Sequence, residues 1–234
     1  MTNHNMNNYN VVEGFNKIAS HYDTLNTFMT GGGHYYLRWI LSQEVLKHVS
    51  QNTAQNLLDI STGTGEILRT LLKFIPENYT PFHQIGAYDP SDAMLQIAQN
   101  NLKEYPITWM KTWDDVAKFS YDHITISWGL RNFPSWQQAL KDIHQIMAPK
   151  GLLYICESFC PPTWLLKMNQ LWVPTLGKMI SPYSDAYDYY VESIGKFPTY
   201  SNFQKEISEY GFEIENAHGF LWDSLGVLTL RCHK

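Results

Sequence analysis

The sequence predicts an α/β fold built on a mostly parallel seven-stranded sheet, with helices on both faces and an antiparallel last strand. Three observations lead there. Short apolar runs alternate with stretches of helical spacing over residues 56–157, and strands interleaved with helices build parallel sheets. A glycine-rich turn, Ser61-Thr62-Gly63-Thr64-Gly65, follows the first such run and opens a helical stretch. The last two runs, residues 212–217 and 225–232, lie too close together for a crossover helix, so they pair antiparallel.

Taken in order, residues 12–22 and 34–49 read as helices, and 56–60 as the first strand. Residues 67–75 place Leu68, Leu71 and Leu72 on one helical face, and Pro76 closes that helix. Residues 84–88 form the second strand. Ser91 then offers an N-cap to a helix carrying Met94, Leu95 and Ala98. Residues 107–110 and 123–127 are the third and fourth strands. Residues 136–147 read as a helix ended by the turn signal Pro149-Lys150-Gly151, and 151–157 as the fifth strand. Residues 161–200 break the alternation with helical pieces rich in Trp, Leu, Met and Tyr. Residues 203–210 resume a helix that Gly211 stops.

A length of 234 residues suits one domain, or one domain with a lid. The expected division is a disordered tail at 1–10 and a single domain at 11–234. That domain has N-terminal helices over 11–50 and a lid insertion over 160–200. Apolar residues at 44% supply a core, and aromatics at 15% leave room for a ring-lined site or for packing. The formal charge is −5 and the basic residues form no long cluster, so no nucleic-acid footprint is expected. Cys156, Cys160 and Cys232 have neither metal nor redox spacing. Their odd number argues against a disulfide framework and for a reducing compartment. The Asn-rich start lacks the apolar stretch of a signal peptide. No apolar run reaches the roughly 20 residues that span a bilayer. A cytoplasmic protein, soluble or peripheral at a membrane, is the expectation.

The glycine turn is the sharpest local signal. Glycines after a strand let the backbone approach a ligand, and the helix start offers free N–H groups. In a dinucleotide fingerprint the third small residue falls three positions after Gly65. Leu68 occupies that position and would spoil the close helix–strand contact. The Lys and Ser/Thr of a phosphate loop are also missing after Gly65. The segment Leu58-Asp59-Ile60-Ser61-Thr62-Gly63-Thr64-Gly65-Glu66 instead resembles the first motif of the class I methyltransferases. These have a Rossmann-like fold, and the turn cradles the amino-acid end of S-adenosylmethionine. Asp89, at the end of the second strand, fits the carboxylate that accepts both ribose hydroxyls. Read plainly, Gly63 and Gly65 are also compatible with an ordinary turn and Asp89 with a helix cap.

Further motifs narrow the resemblance. Phe15-Asn-Lys-Ile-Ala-Ser-His-Tyr-Asp23, with Asn26, Gly32 and His34, is similar to the opening helix of the ubiquinone/menaquinone biosynthesis C-methyltransferases. Ile124-Thr-Ile-Ser-Trp-Gly-Leu-Arg-Asn132 resembles that family's fourth-strand motif. Ser184-Asp-Ala-Tyr-Asp-Tyr-Tyr-Val-Glu-Ser-Ile194, followed by Phe197-Pro198, resembles its lid. The resemblance implies S-adenosylmethionine as cofactor, with contacts at Thr64, Asp89 and Ser127 besides Asp59, Gly63 and Gly65. Tyr22 would close over it. Trp113 would stack on the adenine, and Asp114 would accept from its amino group. The chain departs from the family at Tyr35, Tyr36 and Leu37, where Arg and Trp are usual. It departs again at Glu66, Lys196 and Phe197. These departures leave the acceptor open.

The implied reaction is methylation of a ring carbon of a quinol, possessing a prenyl tail or not, in menaquinone or ubiquinone biosynthesis. Arg131 and Asn132 are the expected substrate-side residues. Arg131 stays protonated, so it would stabilise a phenolate or hold a relaying water. His34, with a neutral pKa range, is a second candidate for proton transfer. Asp23 and Asn26 read as caps of the opening helix. Lid residues 164–180 and the tyrosines at 183, 187, 189 and 190 would roof the core, or offer an apolar path and a transient membrane contact. Only Lys167 and Lys178 charge that stretch, so electrostatic attachment would be weak. The resemblance makes a homodimer reasonable. Two other readings stay open: methylation of another small aromatic metabolite at carbon, oxygen or nitrogen, and a scaffold of a biosynthetic complex whose cofactor site has decayed.

Overall fold

The computed structural model describes residues 10–50, 53, 55–76, 81–180 and 185–234. Its order is α1 (Val11–Ile18), α2 (Tyr22–Thr30), α3 (Gly33–His48), β1 (Gln55–Ile60), α4 (Glu66–Lys73), β2 (Phe82–Tyr88), α5 (Asp92–Asn101) and β3 (Ile107–Met110). It continues through α6 (Trp113–Val116), β4 (Tyr121–Ser127), α7 (Trp136–Ile146), β5 (Met147–Ser158), α8 (Thr163–Ile180), α9 (Asp185–Lys196), α10 (Tyr200–Glu206), β6 (Phe212–Phe220) and β7 (Leu225–Cys232).

The strands form one seven-stranded sheet in the order β3-β2-β1-β4-β5-β7-β6. All neighbours among β1–β5 pair parallel, whereas β7 runs antiparallel to both β5 and β6. The expected sheet is therefore the observed one. Side chains alternate across it. Leu58, Ile60, Ile124, Ile126, Leu153 and Ile155 join one core, and Leu57, Leu152, Tyr154 and Cys156 the other. Leu57, Leu58 and Ile60 are fully buried, each burial contributing about 1.5–3 kcal/mol. Chain order reverses between β1 and β4, and ligands of open α/β sheets bind outside the carboxyl ends of strands at such a point.

Local chemistry sets most boundaries. Ser91 caps α5 by accepting from Met94 N–H (3.2 Å), and Ser135 caps α7 by accepting from Gln138 N–H (3.2 Å). Gly211, at φ +84°, ends the turn after α10 as expected. Three stretches differ from the sequence reading. The first helix stops at Ile18, passes through a 3-10 turn at Ala19–His21 and restarts as α2. Asn10, counted with the tail, caps α1 by accepting from Glu13 N–H. The Pro149-Lys150-Gly151 signal does not end a helix ahead of β5. It lies within the strand, where Lys150 takes φ +62° and its carbonyl accepts from Arg231 Nη1 (3.0 Å).

The expected lid consists of α8 and α9, which pack on each other. Tyr183 and Ser184, with the side chains of Lys178 and Tyr187, lie outside the described residues, as do positions 1–9. Among the described residues, no helix is long and apolar enough to cross a membrane.

Candidate active site

The turn after β1 crosses above β2. Thr62 N–H donates to the Tyr88 carbonyl (3.0 Å), and Gly63 N–H donates to Asp89 Oδ2 (2.9 Å). The second Asp89 oxygen accepts from Ser91 N–H (2.9 Å). Asp89 is buried, and burial raises its pKa against these two backbone bonds. A carboxylate has about four acceptor positions, so two hydrogen bonds leave capacity on the cavity that Asp89 lines.

Asp59 occupies a different place. Its Oδ2 accepts from Thr62 Oγ1 (2.6 Å) and its Oδ1 from Thr125 Oγ1 (2.7 Å). Burial pushes its pKa up to about 6. It ties the glycine turn to β4 from beneath. Thr64 Oγ1 donates to Asp23 Oδ1 (3.1 Å), joining the turn to α2, so Asp23 does more than cap a helix. Gly65 takes φ +85°, and a Cβ there would lie 2.8 Å from Leu102 Cδ1. Its smallness therefore serves the contact between the start of α4 and α5.

Two cavities meet at this edge. The first, of about 410 Å³, is lined by Tyr22, Gly63, Asp89, Ser91, Met94, Ser127 and Asn132, among others. A narrow cleft continues beneath it past Thr64, Ser127, Glu66 and Arg38. The second cavity, of about 360 Å³, is lined by His34, Leu37, Ser158, Phe159, Leu165, Tyr190 and Phe220, among others. Trp128 borders both. It stands at φ +53°, a left-handed conformation that bulky residues rarely adopt. Its carbonyl accepts from Arg131 Nη1 (3.2 Å) and Asn132 Nδ2 (3.0 Å). Strain held this way clusters at functional sites.

Arg131 and Asn132 thus shape the wall. Arg131 pairs with buried Glu157 through a short Nη1–Oε1 contact and lies 5.3 Å from the Tyr190 ring centroid. Burial, the largest single influence, lowers its pKa, but Glu157, Tyr190 and Tyr22 together outweigh it and the net shift is upward. Asn132 Oδ1 accepts from Tyr189 OH (3.1 Å), which fastens α9 to the same turn.

His34 faces the second cavity with a defined tautomer. Thr30 Oγ1 donates its proton to the Asn26 carbonyl (2.7 Å), so it can only accept from His34 Nδ1 (2.8 Å). Nδ1 then carries the proton. Nε2 is a bare lone pair, buried and without a partner among the described residues. Burial lowers the His34 pKa to about 4, with Arg38 adding to the effect and Glu66 opposing it.

Of the residues expected from sequence, Tyr22, Gly63, Asp89, Ser127 and Asn132 converge on the first cavity, and Asp59 and Thr64 on the cleft below. Trp113 does not line these spaces. It is partly buried and packs edge-on against Tyr88 (5.7 Å, 82°) and against the core. Asp114 is exposed on α6 and also stays outside them. Tyr88, Pro90, Met94 and Phe133 supply the apolar wall instead. The sequence reading missed Trp128, Glu157 and Arg38 as site residues. The buried-strand position of Glu157, at the end of an apolar run, was the available signal.

Among solved structures, the chain resembles the plantazolicin methyltransferase BpumL in complex with SAH (TM-score 0.61, 12% identity, 96% of each chain covered). It also resembles a carbon methyltransferase, CurJ (TM-score 0.63, 16% identity, 84% of this chain and 54% of that one). Both likenesses concern the fold. Among characterised sequences, it is 31% identical to the ubiquinone/menaquinone biosynthesis C-methyltransferase UbiE of Dinoroseobacter shibae, covering 87% of this chain and 83% of that protein. It is 28% identical to the demethylmenaquinone methyltransferase of Chlamydia caviae, covering 94% of both. The sequence model of the ubiE/COQ5 methyltransferase family matches residues 2–227. The chain belongs to the ubiE/COQ5 methyltransferase family.

Proposed function

We propose that this enzyme uses S-adenosylmethionine to methylate a ring carbon of a quinol bound in the cavity of His34 and Trp128. The residues present fit the cofactor. The Asp89 carboxylate has acceptor capacity free on the first cavity for ribose hydroxyls, and the cleft under the glycine turn runs to a buried guanidinium lacking hydrogen bonds at two of its nitrogens. When bound, the sulfonium supplies an electrophilic methyl group. Gly63, Asp89, Thr64, Ser127 and Tyr22 would hold it.

The observation that carries the acceptor side is that His34, whose buried Nε2 has no hydrogen-bond partner among the described residues, lines a largely apolar cavity sharing the Trp128 wall with the cofactor cavity. A quinol hydroxyl has a pKa of roughly 10, like that of Tyr, so a base of pKa about 4 does not ionise it in advance. Carbon–carbon bond formation changes this. As the new bond forms the methyl–sulfur bond breaks, and the ring then carries the hydroxyl of a protonated ketone, a strong acid whose proton a weak neutral base can take. Loss of the hydrogen still on the methylated carbon, with a proton returned to the oxygen, restores the aromatic quinol, so that one proton leaves overall. His34 is the assigned base, in a step expected to be worth about 10²–10⁴-fold. Trp128, held by Arg131 and Asn132, positions the ring, and placement supplies several kcal/mol. Arg131 is assigned a positioning role because Glu157 occupies it.

Relatives named for demethylmenaquinone and ubiquinone/menaquinone methylation support a quinol over other acceptors. A prenyl tail would leave past Leu165, Phe220 and Leu221, toward the exposed Trp164, Trp172 and Trp222. Trp222 packs on Trp164 (5.2 Å) from a turn whose residues Leu221, Trp222 and Asp223 all take positive φ. Rings at such a rim suit a transient membrane contact. Labelled methyl transfer to demethylmenaquinol, a ubiquinone-type precursor and a simple phenol tests the reading. Turnover of the phenol alone would overturn it.

A further inference from the structure

Arg38 lies on α3, 4% exposed, and lines the cleft under the glycine turn. Among the described residues neither its Nε nor its Nη1 finds a hydrogen-bond partner, although both are shielded from water. The nearest carboxylate is Glu66, whose Oε2 is 3.6 Å from Nη1, beyond hydrogen-bond reach. Glu66 is already engaged by Arg69, whose Nη2 stands 2.8 Å from Oε2 and 2.7 Å from Oε1. The Arg38 guanidinium also sits 5.5 Å from the Trp128 ring centroid, a contact that supplies no hydrogen-bond acceptor. A buried cation with unmade hydrogen bonds is costly to a fold, and bidentate guanidinium–carboxylate pairing is the arrangement that would complete it.

A second feature points the same way. The first residue before α4, Gly65, has no side chain to cap the helix, and Ile67 of its first turn borders the same cleft. The first turn of α4, the positive end of that helix, thus borders the same space as Arg38. Cationic side chain and helix start face one narrow volume between them.

We propose that Arg38 is the anchor for the α-carboxylate at the methionyl end of S-adenosylmethionine, pairing with it inside the cleft. The assignment rests on the cofactor reading given above. It makes Arg38 a binding residue of the donor, with Glu66 and Arg69 positioning it, and explains why a guanidinium is buried where the described residues offer its Nε and Nη1 no acceptor within hydrogen-bond distance.

Calorimetric binding to three probes tests it: S-adenosylhomocysteine, its decarboxylated analogue, and 5′-methylthioadenosine, which lacks the whole amino-acid end. The wild-type chain is expected to bind S-adenosylhomocysteine at least tenfold more tightly than the decarboxylated analogue. Arg38→Met should weaken S-adenosylhomocysteine about 30-fold or more, leave 5′-methylthioadenosine within about threefold, and abolish the preference for the carboxylate. Arg38→Lys should keep part of that preference, and decides the question should Arg38→Met fail to fold. A preference for the carboxylate that survives in either variant at its wild-type size overturns the assignment. Failure of the wild-type chain to bind any of the three overturns the cofactor reading itself, and the Arg38 assignment with it.

Discussion

Thr30 and His34 lie one turn of chain apart, and the Thr30 hydroxyl fixes which nitrogen of His34 is bare: its proton goes to the Asn26 carbonyl, so its oxygen receives the Nδ1 proton. His34→Gln should lower kcat by about 10²–10⁴-fold while leaving S-adenosylhomocysteine affinity within about threefold. Thr30→Val should cost roughly tenfold, since about 1.4 kcal/mol of tautomer preference is a factor of ten. The pKa of His34 is held near 4, so the unliganded enzyme should show no inflection at about 6.5 in kcat/KM that disappears in His34→Gln. Finding such an inflection would show that His34 titrates near its ordinary value and is not held neutral by burial.

Glu157 sits at the end of β5 and neutralises Arg131 in the wall between the cavities. Removing one member of a buried pair leaves the other charge stranded, which costs about 3–5 kcal/mol. Glu157→Gln should therefore destabilise the fold by that order in urea titration. Replacing both residues with methionine should recover most of the stability yet not the turnover, because the Trp128 carbonyl then loses the Arg131 donor. A double variant of normal activity would show that Arg131 has no positioning role.

Gly129 follows the left-handed Trp128 and lies against the glycine turn. Its φ of −107° is open to any residue, but a Cβ would stand 2.4 Å from Ser61 Cβ. Gly129→Ala should thus cost about 1–3 kcal/mol through overpacking alone, and loosen cofactor binding by shifting the turn. Ser61 has φ +56°, where glycine is favoured. Ser61→Gly in the Gly129→Ala background should restore melting temperature and affinity together. If stability returns without affinity, the two turns act separately.

The parts of this molecule visible in its sequence are those set by neighbours along the chain. The β1 run, the Ser91 cap and the stop at Gly211 each depend on a few adjacent residues, and each stands where the pattern puts it. The split between α1 and α2 was not legible, because a 3-10 turn uses the same apolar spacing as the helix around it. In the site, Gly63 and Asp89 were legible as a motif. Asp59 was legible as part of that motif but not as the clamp under it, since its partner Thr125 is 66 residues away. The same distance effect hid the occupancy of Arg131 by Glu157. Ring type and approximate position follow from sequence; the direction a side chain takes is decided by packing from other elements.

Buried titratable groups set the response to acid, and two of them pull in opposite directions. His123, on β4, hydrogen-bonds the Tyr154 hydroxyl (3.0 Å), and burial lowers its pKa to about 4. Unfolded, it titrates near 6.5. Between those values the unfolded chain binds a proton that the folded chain refuses, so this residue's contribution is present above about pH 6.5 and is lost on the way down to about 4. Asp59 has the reverse sign. Its folded pKa of about 6 lies above the ordinary 3.8, so the folded chain binds the extra proton and gains stability as pH falls from about 6 to 4. Urea unfolding at pH 7 and at pH 4.5 separates them, each pKa unit being about 1.4 kcal/mol. His123→Gln should lose roughly 2–3 kcal/mol less than the wild type between the two conditions. Asp59→Asn should lose roughly 2 kcal/mol more. Two variants shifting in the same direction would mean that at least one of these groups is not held in the protonation state its burial imposes.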